Sequence, residues 1–225
     1  FGRVMSLTRQ IDAILLEEIG IRRGLRPHER GDDILTMLAG PQPHEDGFMT
    51  DREIRDEAMT LLVAGHESTA NTLSWTFERV LRHPAVHDRL LAELSNEDDG
   101  YFDAVVRETL RQRPVLPITA RRIYEPQDVG GYRFPAGWTL MPCIYLIHRD
   151  PEAFPEPERF RPERFLEDPK ALARVWVPFG AGPRLCLGKH LAMMTIKRVL
   201  ATVLARTTLV ADREAEPIVR NNMTL

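Results

Sequence analysis

The chain has 225 residues, with 30 Lys and Arg against 33 Asp and Glu, a formal charge of −3. This balance gives no electrostatic reason to expect nucleic acid or an anionic membrane as a partner. At 43% hydrophobic and 28% charged residues, the composition excludes a largely disordered chain and suits one large domain or two small ones.

No run of about 18 consecutive apolar residues occurs, so no membrane span is expected in this segment. Phe1 to Gln10 does not have the pattern of a signal peptide. Residue 1 is Phe, and the chain ends at Asn221-Asn222-Met223-Thr224-Leu225 without a polar tail or helix cap; both ends are expected to be cut. Two cysteines, Cys143 and Cys186, are too few for a disulfide framework, and an intracellular, cytoplasmic thiol protein is the reading they favour.

In chain order, Ser6 to Arg23 carries apolar residues at Leu7, Ile11, Ile14, Leu15 and Ile19, the stripe of a helix that runs into Gly20 and Gly24. A short helix over Asp32 to Ala39 follows, then a loop with Pro41, Pro43 and Gly47. Thr50 and Glu53 form a capping box that opens a long helix, for which His83-Pro84 is the stop. Met59 to Ala64 is almost wholly apolar, which predicts burial on most sides of this helix. Further helices are expected at Pro84 to Leu94 and, after the turn Glu97-Asp98-Asp99-Gly100, at Tyr101 to Gln112. Of the 17 prolines, 12 lie between Pro114 and Pro183, so the chain reads helical, then irregular, then helical again. Short strands of a small sheet are expected between Ile118 and Ile147, with turns at Gly130-Gly131 and Pro135-Ala136-Gly137. Residues 148–178 read as loop, and Leu187 to Arg206 as the last helix.

Four segments carry chemistry. The first is Phe179-Gly180-Ala181-Gly182-Pro183-Arg184-Leu185-Cys186-Leu187-Gly188-Lys189. A phosphate loop fails on spacing: five residues separate Gly182 from Gly188, and His190 follows Lys189 where Ser or Thr is required. The dinucleotide pattern fails as well, with Leu185 at the third glycine position. What remains is a thiol at the start of a helix, where free N–H groups and the nearby Arg184 favour a thiolate. The glycines let the backbone curl round a sulfur and let a flat ligand approach. The bland alternative, a buried structural cysteine, is the common fate of free thiols and is the reading taken for Cys143 in the strand-like Thr139 to Ile147.

The second segment is Ala64-Gly65-His66-Glu67-Ser68-Thr69. A glycine inside a helix costs about 1 kcal/mol relative to Ala, and an acid beside two hydroxyls is awkward on a buried face. Such violations are expected where a ligand sits, with Gly65 giving room and Glu67 passing protons with Ser68 or Thr69; a solvated turn is the alternative. The third is Glu108-Thr109-Leu110-Arg111, which alone reads as a surface ion pair of small worth. The fourth, Phe160-Arg161-Pro162-Glu163-Arg164-Phe165, alone says only that the loop is ordered.

In this order the four segments resemble the cytochrome P-450 family of haem-thiolate monooxygenases. Phe179, Gly180, Gly182, Arg184, Cys186 and Gly188 match its haem-binding loop, Glu108 and Arg111 its Glu-x-x-Arg helix, and Pro162-Glu163-Arg164-Phe165 the loop that completes a Glu-Arg-Arg triad. Ala64 to Thr69 matches the oxygen-activating helix, except that Ser68 stands where the family has Thr. His148-Arg149-Asp150-Pro151 has the style of bacterial members.

The resemblance implies a mainly α fold with a small β-sheet, the cytochrome P-450 fold in incomplete form, with the amino-terminal half and the final β-hairpin missing. Residues 1–225 are then the carboxy-terminal part of one domain, with the oxygen-activating helix at 50–82, the Glu-x-x-Arg helix at 101–112, the thiolate loop at 179–188 and its following helix at 187–206. Haem b, iron protoporphyrin IX, is the implied cofactor, with Cys186 as the axial metal ligand. Arg184 and Arg121, or Arg122 in place of the latter, are the implied propionate partners, and Glu108, Arg111 and Arg164 the structural triad. Glu67 and Ser68 would deliver protons during oxygen activation, with Thr69 as the substitute, and Ala64 and Gly65 would leave room for O2 and substrate. No flavin or iron–sulfur pattern is present, so electrons would come from a ferredoxin- or flavin-type partner, docked on Lys189, Lys197 and Arg198. The substrate is expected to be a hydrophobic small molecule, lined by the long helix and Val115 to Thr119. The competing expectations are a haem protein that is not a monooxygenase and a catalytically silent fragment whose long helix exposes an apolar patch.

Overall fold

The structure, a computed structural model, describes residues 2–41, 47–94 and 99–211. The expected Pro43 loop, the Glu97-Asp98 turn and the chain end at 221–225 lie outside the described residues. Two compact units, Phe1–His66 and Glu67–Leu225, are taken in turn.

The first unit contains α1 (Gly2–Gly24), a 3-10 turn at Pro27–Glu29, α2 (Ile34–Ala39) and the beginning of α3 (Asp51–Arg82). Its core is small: Ile19, Ala39 and Ile54 are buried, with Leu35, Leu38 and Met49 packed around them. The apolar stripe expected to be the buried face of α1 is therefore only partly used. Ile19 is buried, but Leu7, Ile11 and Ile14 are exposed, because the described residues that pack on α1 meet its carboxy-terminal end, with Asp12 also reaching Arg55 at 3.6 Å.

Polar side chains fix that end. Arg22 bonds Glu18 and lies 3.2 Å from Asp33, and Arg23 reaches Asp51 at 2.6 Å. Asp33 caps α2 by accepting the Thr36 N–H at 3.0 Å and the Thr36 hydroxyl at 2.7 Å, and these bonds hold its carboxyl down at about 2. Thr50 and Glu53 form the capping box of α3, with reciprocal bonds of 2.7 and 3.3 Å. Beyond it the expectation of burial is contradicted: Leu62 is 57% and Val63 70% exposed. Met59 and Leu61 are half-buried, so on the Leu62 and Val63 side the apolar composition marks a surface fit for contact rather than one in contact.

The second unit holds the rest of α3, then α4 (Pro84–Glu93), α5 (Gly100–Gln112), β1 (Arg121–Arg122), β2 (Gln127–Val129), β3 (Tyr132–Phe134), β4 (Thr139–Leu140), α6 (Ile144–Ile147), α7 (Arg164–Glu167), α8 (Pro169–Leu172) and α9 (Lys189–Arg206). Two antiparallel pairs replace the single small sheet expected: β1 with β4, and β2 with β3. The β2–β3 turn needs glycine, since Gly130 and Gly131 have φ of 59° and 84°. The strand expected over Thr139 to Ile147 stops at Leu140, and Ile144–Ile147 is one helical turn preceded by the half-buried Cys143. Pro142 cannot donate to a ladder, and four apolar residues are too few to show a period.

The core of this unit surrounds α5, which packs against α4, α7 and α9. Val105 and Val106 from α5, Leu90 from α4, Ile196 and Leu200 from α9, and Phe154 from the irregular segment are all buried. Ten residues of α5 are buried, among them Glu108, Arg111 and Gln112, so its charges must find partners inside the protein. Among the described residues no helix is long and apolar enough to cross a membrane.

Candidate functional site

Glu108 and Arg111 are both fully buried, which reverses the surface reading of an isolated i, i+3 pair. The Glu108 carboxylate accepts from Arg111 Nε at 2.7 Å and Nη2 at 2.9 Å, from Arg164 Nε at 3.2 Å and from the Arg161 backbone N–H at 2.9 Å. The remaining guanidinium hydrogens find carbonyls: Arg111 donates to His148 and Arg159, and Arg164 to Pro155, Glu156 and Arg159. Burial pushes the Arg164 guanidinium below its ordinary value, and Glu108 opposes the shift. The cluster pins the 148–164 segment to α5. It is almost wholly shielded from solvent.

The glycine-rich loop that carries Cys186 runs from Phe179 to Gly188. Cys186 N–H donates to the Phe179 carbonyl at 2.9 Å, Leu185 N–H to Gly182 at 3.0 Å and Gly180 N–H to Val177 at 3.0 Å. Gly180 and Gly182 have φ of 75° and 68°, a region costly for any residue with a Cβ, and Gly182–Arg184 forms a 3-10 turn. The helix expected from Leu187 begins two residues later, at Lys189, with Gly188 as its cap at φ −80°. Cys186 thus precedes the helix rather than opening it. Its carbonyl accepts the Lys189 N–H at 3.4 Å, and its Sγ lies 4.0 Å from where a Cβ on Gly188 would stand. The thiol therefore rests beside the positive end of α9. Cys186 is exposed, as is Arg184, which makes no ion pair among the described residues. Leu187 beside them is 86% exposed.

The other expected residues are more dispersed. On α3, Ala64, Gly65 and Glu67 are exposed and Ser68 and Thr69 half-buried. Thr72 Oγ1 donates to the Ser68 carbonyl at 2.9 Å and Thr76 Oγ1 to the Thr72 carbonyl at 2.7 Å, so hydroxyls here bond back onto their own helix. A Cβ at Gly65 would meet no atom within 4 Å. Arg121 and Arg122 lie on β1 opposite Leu140 and Thr139, both exposed, and Arg121 Nη1 donates to the Ala120 carbonyl at 2.8 Å. Of the expected positive face, Lys197 is engaged by Asp99 at 2.5 Å and Asp103 at 3.8 Å. Lys189 lies over the Trp176 ring at 5.9 Å, and Arg198 is exposed.

Two residues near the loop were not singled out by sequence. Trp176 is buried, donates its Nε1–H to the Arg107 carbonyl at 3.0 Å and meets Phe165 and Phe179 edge-on at 5.8 and 6.0 Å. His148 is fully buried, and its Nε2 accepts the Val177 N–H at 2.9 Å. A lone buried His or Trp gives no local pattern, and only the His148-Arg149-Asp150-Pro151 style pointed toward the former.

The model of the family described as Cytochrome P450 matches residues 5–224. The chain belongs to the cytochrome P450 family. It is 39% identical over 215 residues to a Mycobacterium tuberculosis protein named "Putative cytochrome P450 135B1", covering 93% of this chain and 45% of that protein. It is also 39% identical over 218 residues to "Putative cytochrome P450 137" of the same species, covering 96% and 45%. Among solved structures it resembles the cytochrome P450DA heme domain with a TM-score of 0.83 and 28% identity, over 95% of this chain and 50% of that one. The chain spans about half the length of the relatives it matches, consistent with an incomplete P450 fold, mostly helical with small antiparallel sheets.

Haem b is the cofactor of this P450 family and fold. The loop fits it: Cys186 offers one exposed soft sulfur, and among the described residues no three His, Cys, Asp or Glu side chains come together as a metal cluster. A lone thiolate holds a metal only where the bound group brings the rest of the coordination shell, as a porphyrin does. The low bulk of Gly180, Gly182 and Gly188 admits a flat group, and the exposed Arg184 suits a carboxylate.

Proposed function

We propose that this chain is the thiolate-bearing, carboxy-terminal part of a single P450 domain. The domain uses O2 and externally supplied electrons to hydroxylate or otherwise oxidise a hydrophobic small molecule. The observation that carries the reading is the exposed Cys186 on a loop whose backbone is fixed by the Phe179, Gly182 and Val177 bonds. Haem b, when bound, supplies the oxidising chemistry. Cys186 ligates its iron through the exposed sulfur that stands just before the start of α9. Arg184 and Arg121 hold its carboxylates.

Glu67 takes up protons from solvent, and Ser68, with Thr69 as substitute, passes them inward through its hydroxyl. Ala64 and Gly65 keep their helix face low in bulk. Val115 to Thr119, with exposed Leu116, adds apolar lining. Lys189 and Arg198 present charge to an acidic ferredoxin- or flavin-type redox partner. Two free thiols suit the reducing cytoplasm.

The test is the difference spectrum of the reduced, carbon-monoxide-bound, haem-loaded protein. A red-shifted thiolate-type Soret band is expected, lost in Cys186→Ser while the far-UV circular dichroism stays unchanged. A histidine-type or absent band in the unaltered protein, or the same band in both proteins, refutes the assignment.

A further inference from the structure

We propose that His148 is a positioning residue for the thiolate loop: its ring holds the Val177 amide and so ties the approach to Cys186 to the buried Glu108–Arg111–Arg164 cluster. This rests on the haem-thiolate reading above.

His148 is held on three sides. Its backbone N–H donates to Ile144 at 3.0 Å, its carbonyl accepts from Arg111 Nη1 at 2.8 Å, and its ring meets Phe154 edge-on at 5.8 Å. A backbone amide only donates, so the 2.9 Å contact from Val177 requires a bare Nε2 and places the proton on Nδ1. Nδ1 is buried and makes no hydrogen bond of ordinary geometry among the described residues, the Arg111 backbone being a polar group that acts on the ring.

Both polar groups of the Val177 peptide are then occupied. Its N–H is on His148, and its carbonyl accepts the Gly180 N–H at 3.0 Å, the first turn of the loop. Phe179, two residues on, accepts the Cys186 N–H at 2.9 Å. A shift at Val177 therefore reaches the thiol through two hydrogen bonds. The charged groups acting on the ring are Arg111 from α5 and Arg149 beside it in sequence, with burial as the largest influence. Burial and both arginine charges oppose protonation, the Arg111 backbone favours it, and burial prevails, so the ring stays an acceptor.

The test compares three variants of the full-length haem-loaded protein. His148→Leu cannot accept a bond, His148→Gln can offer its carbonyl oxygen to Val177, and Leu90→Ala opens the core at α4 without touching the His148–Val177 bond. Amide exchange at Val177 is expected to rise about ten- to hundredfold in H148L, beyond the change at core amides, and to return toward the unaltered rate in H148Q. The fraction keeping the thiolate-type carbon-monoxide band on mild acidification or pressure should fall in H148L and hold in H148Q and L90A. Exchange and band loss equal in H148L and L90A, or no recovery in H148Q, overturn the proposal. Absence of the thiolate band from the unaltered protein overturns the haem-thiolate reading instead, and Val177 exchange then decides alone whether His148 holds the loop.

Discussion

Replacing Glu108 with Gln removes one charge from a site where three groups depend on it. The carboxylate receives two bonds from Arg111, one from Arg164 and one from the Arg161 amide, and the two arginine side chains are 0% and 3% exposed. Gln keeps one acceptor oxygen, while its amide nitrogen must face a donor. Two buried guanidinium groups are then left without a counter-charge, and breaking a buried pair in this way costs about 3–5 kcal/mol. For a chain of this size that lowers Tm by about 6–20 °C. The assay is denaturant unfolding followed by circular dichroism, in which the midpoint falls and the slope m is unchanged. Asp128→Asn is the contrast, because the Arg133–Asp128 pair is about two-thirds exposed on both sides, 68% and 65%, and its loss should not move the midpoint. If E108Q unfolds where D128N does, the cluster does not carry the stability assigned to it.

The pH dependence of stability follows from His148, whose burial pulls it from 6.5 to about 4. Between those values the unfolded chain binds a proton that the folded chain refuses. Stability is therefore full above pH 6.5 and declines as the pH falls, by about 3 kcal/mol at pH 4. Equilibrium unfolding across that range should show the decline, and His148→Gln should flatten it. Gly182→Ala should cost about 1–2 kcal/mol by chemical denaturation. The origin is its φ of 68° alone, since an added Cβ there meets no atom within 4 Å. Gly188→Ala, at φ −80°, carries no such penalty and should unfold with the unaltered protein.

Helices were the most legible part of the sequence, because their signals are local. Thr50 with Glu53 and His83-Pro84 bracket a helix that runs Asp51–Arg82, and the short helix expected over Asp32 to Ala39 runs Ile34–Ala39. Burial was not local. The stripe of α1 and the apolar turn at Leu62 and Val63 state which face is fit for contact, and only the neighbours actually present decide whether it is covered. The segment Ile144–Ile147 read as strand because its residues are bulky and apolar, yet a single turn after Pro142 made it helix. At the site, the loop residues from Phe179 to Gly188 announce themselves by glycine spacing. The burial of Glu108 and Arg111 does not, since the 148–164 segment that wraps them is remote in sequence. The bond of His148 was hidden for the same reason: its partner Val177 lies 29 positions away.

The distances along the chain between members of the charge cluster bear on how the protein assembles. Arg111 reaches His148, and Glu108 reaches Arg161 and Arg164, across 37, 53 and 56 positions. Closing a loop of that length costs about 3–4 kcal/mol of chain entropy. The helices α5 and α9, which pack together, are farther apart still in sequence, so the charge cluster and the core are both non-local, a topology that slows folding. Glu108→Gln therefore reads the order of assembly: a slower folding arm with an unmoved unfolding arm places the cluster in the transition state, and a faster unfolding arm alone places it later.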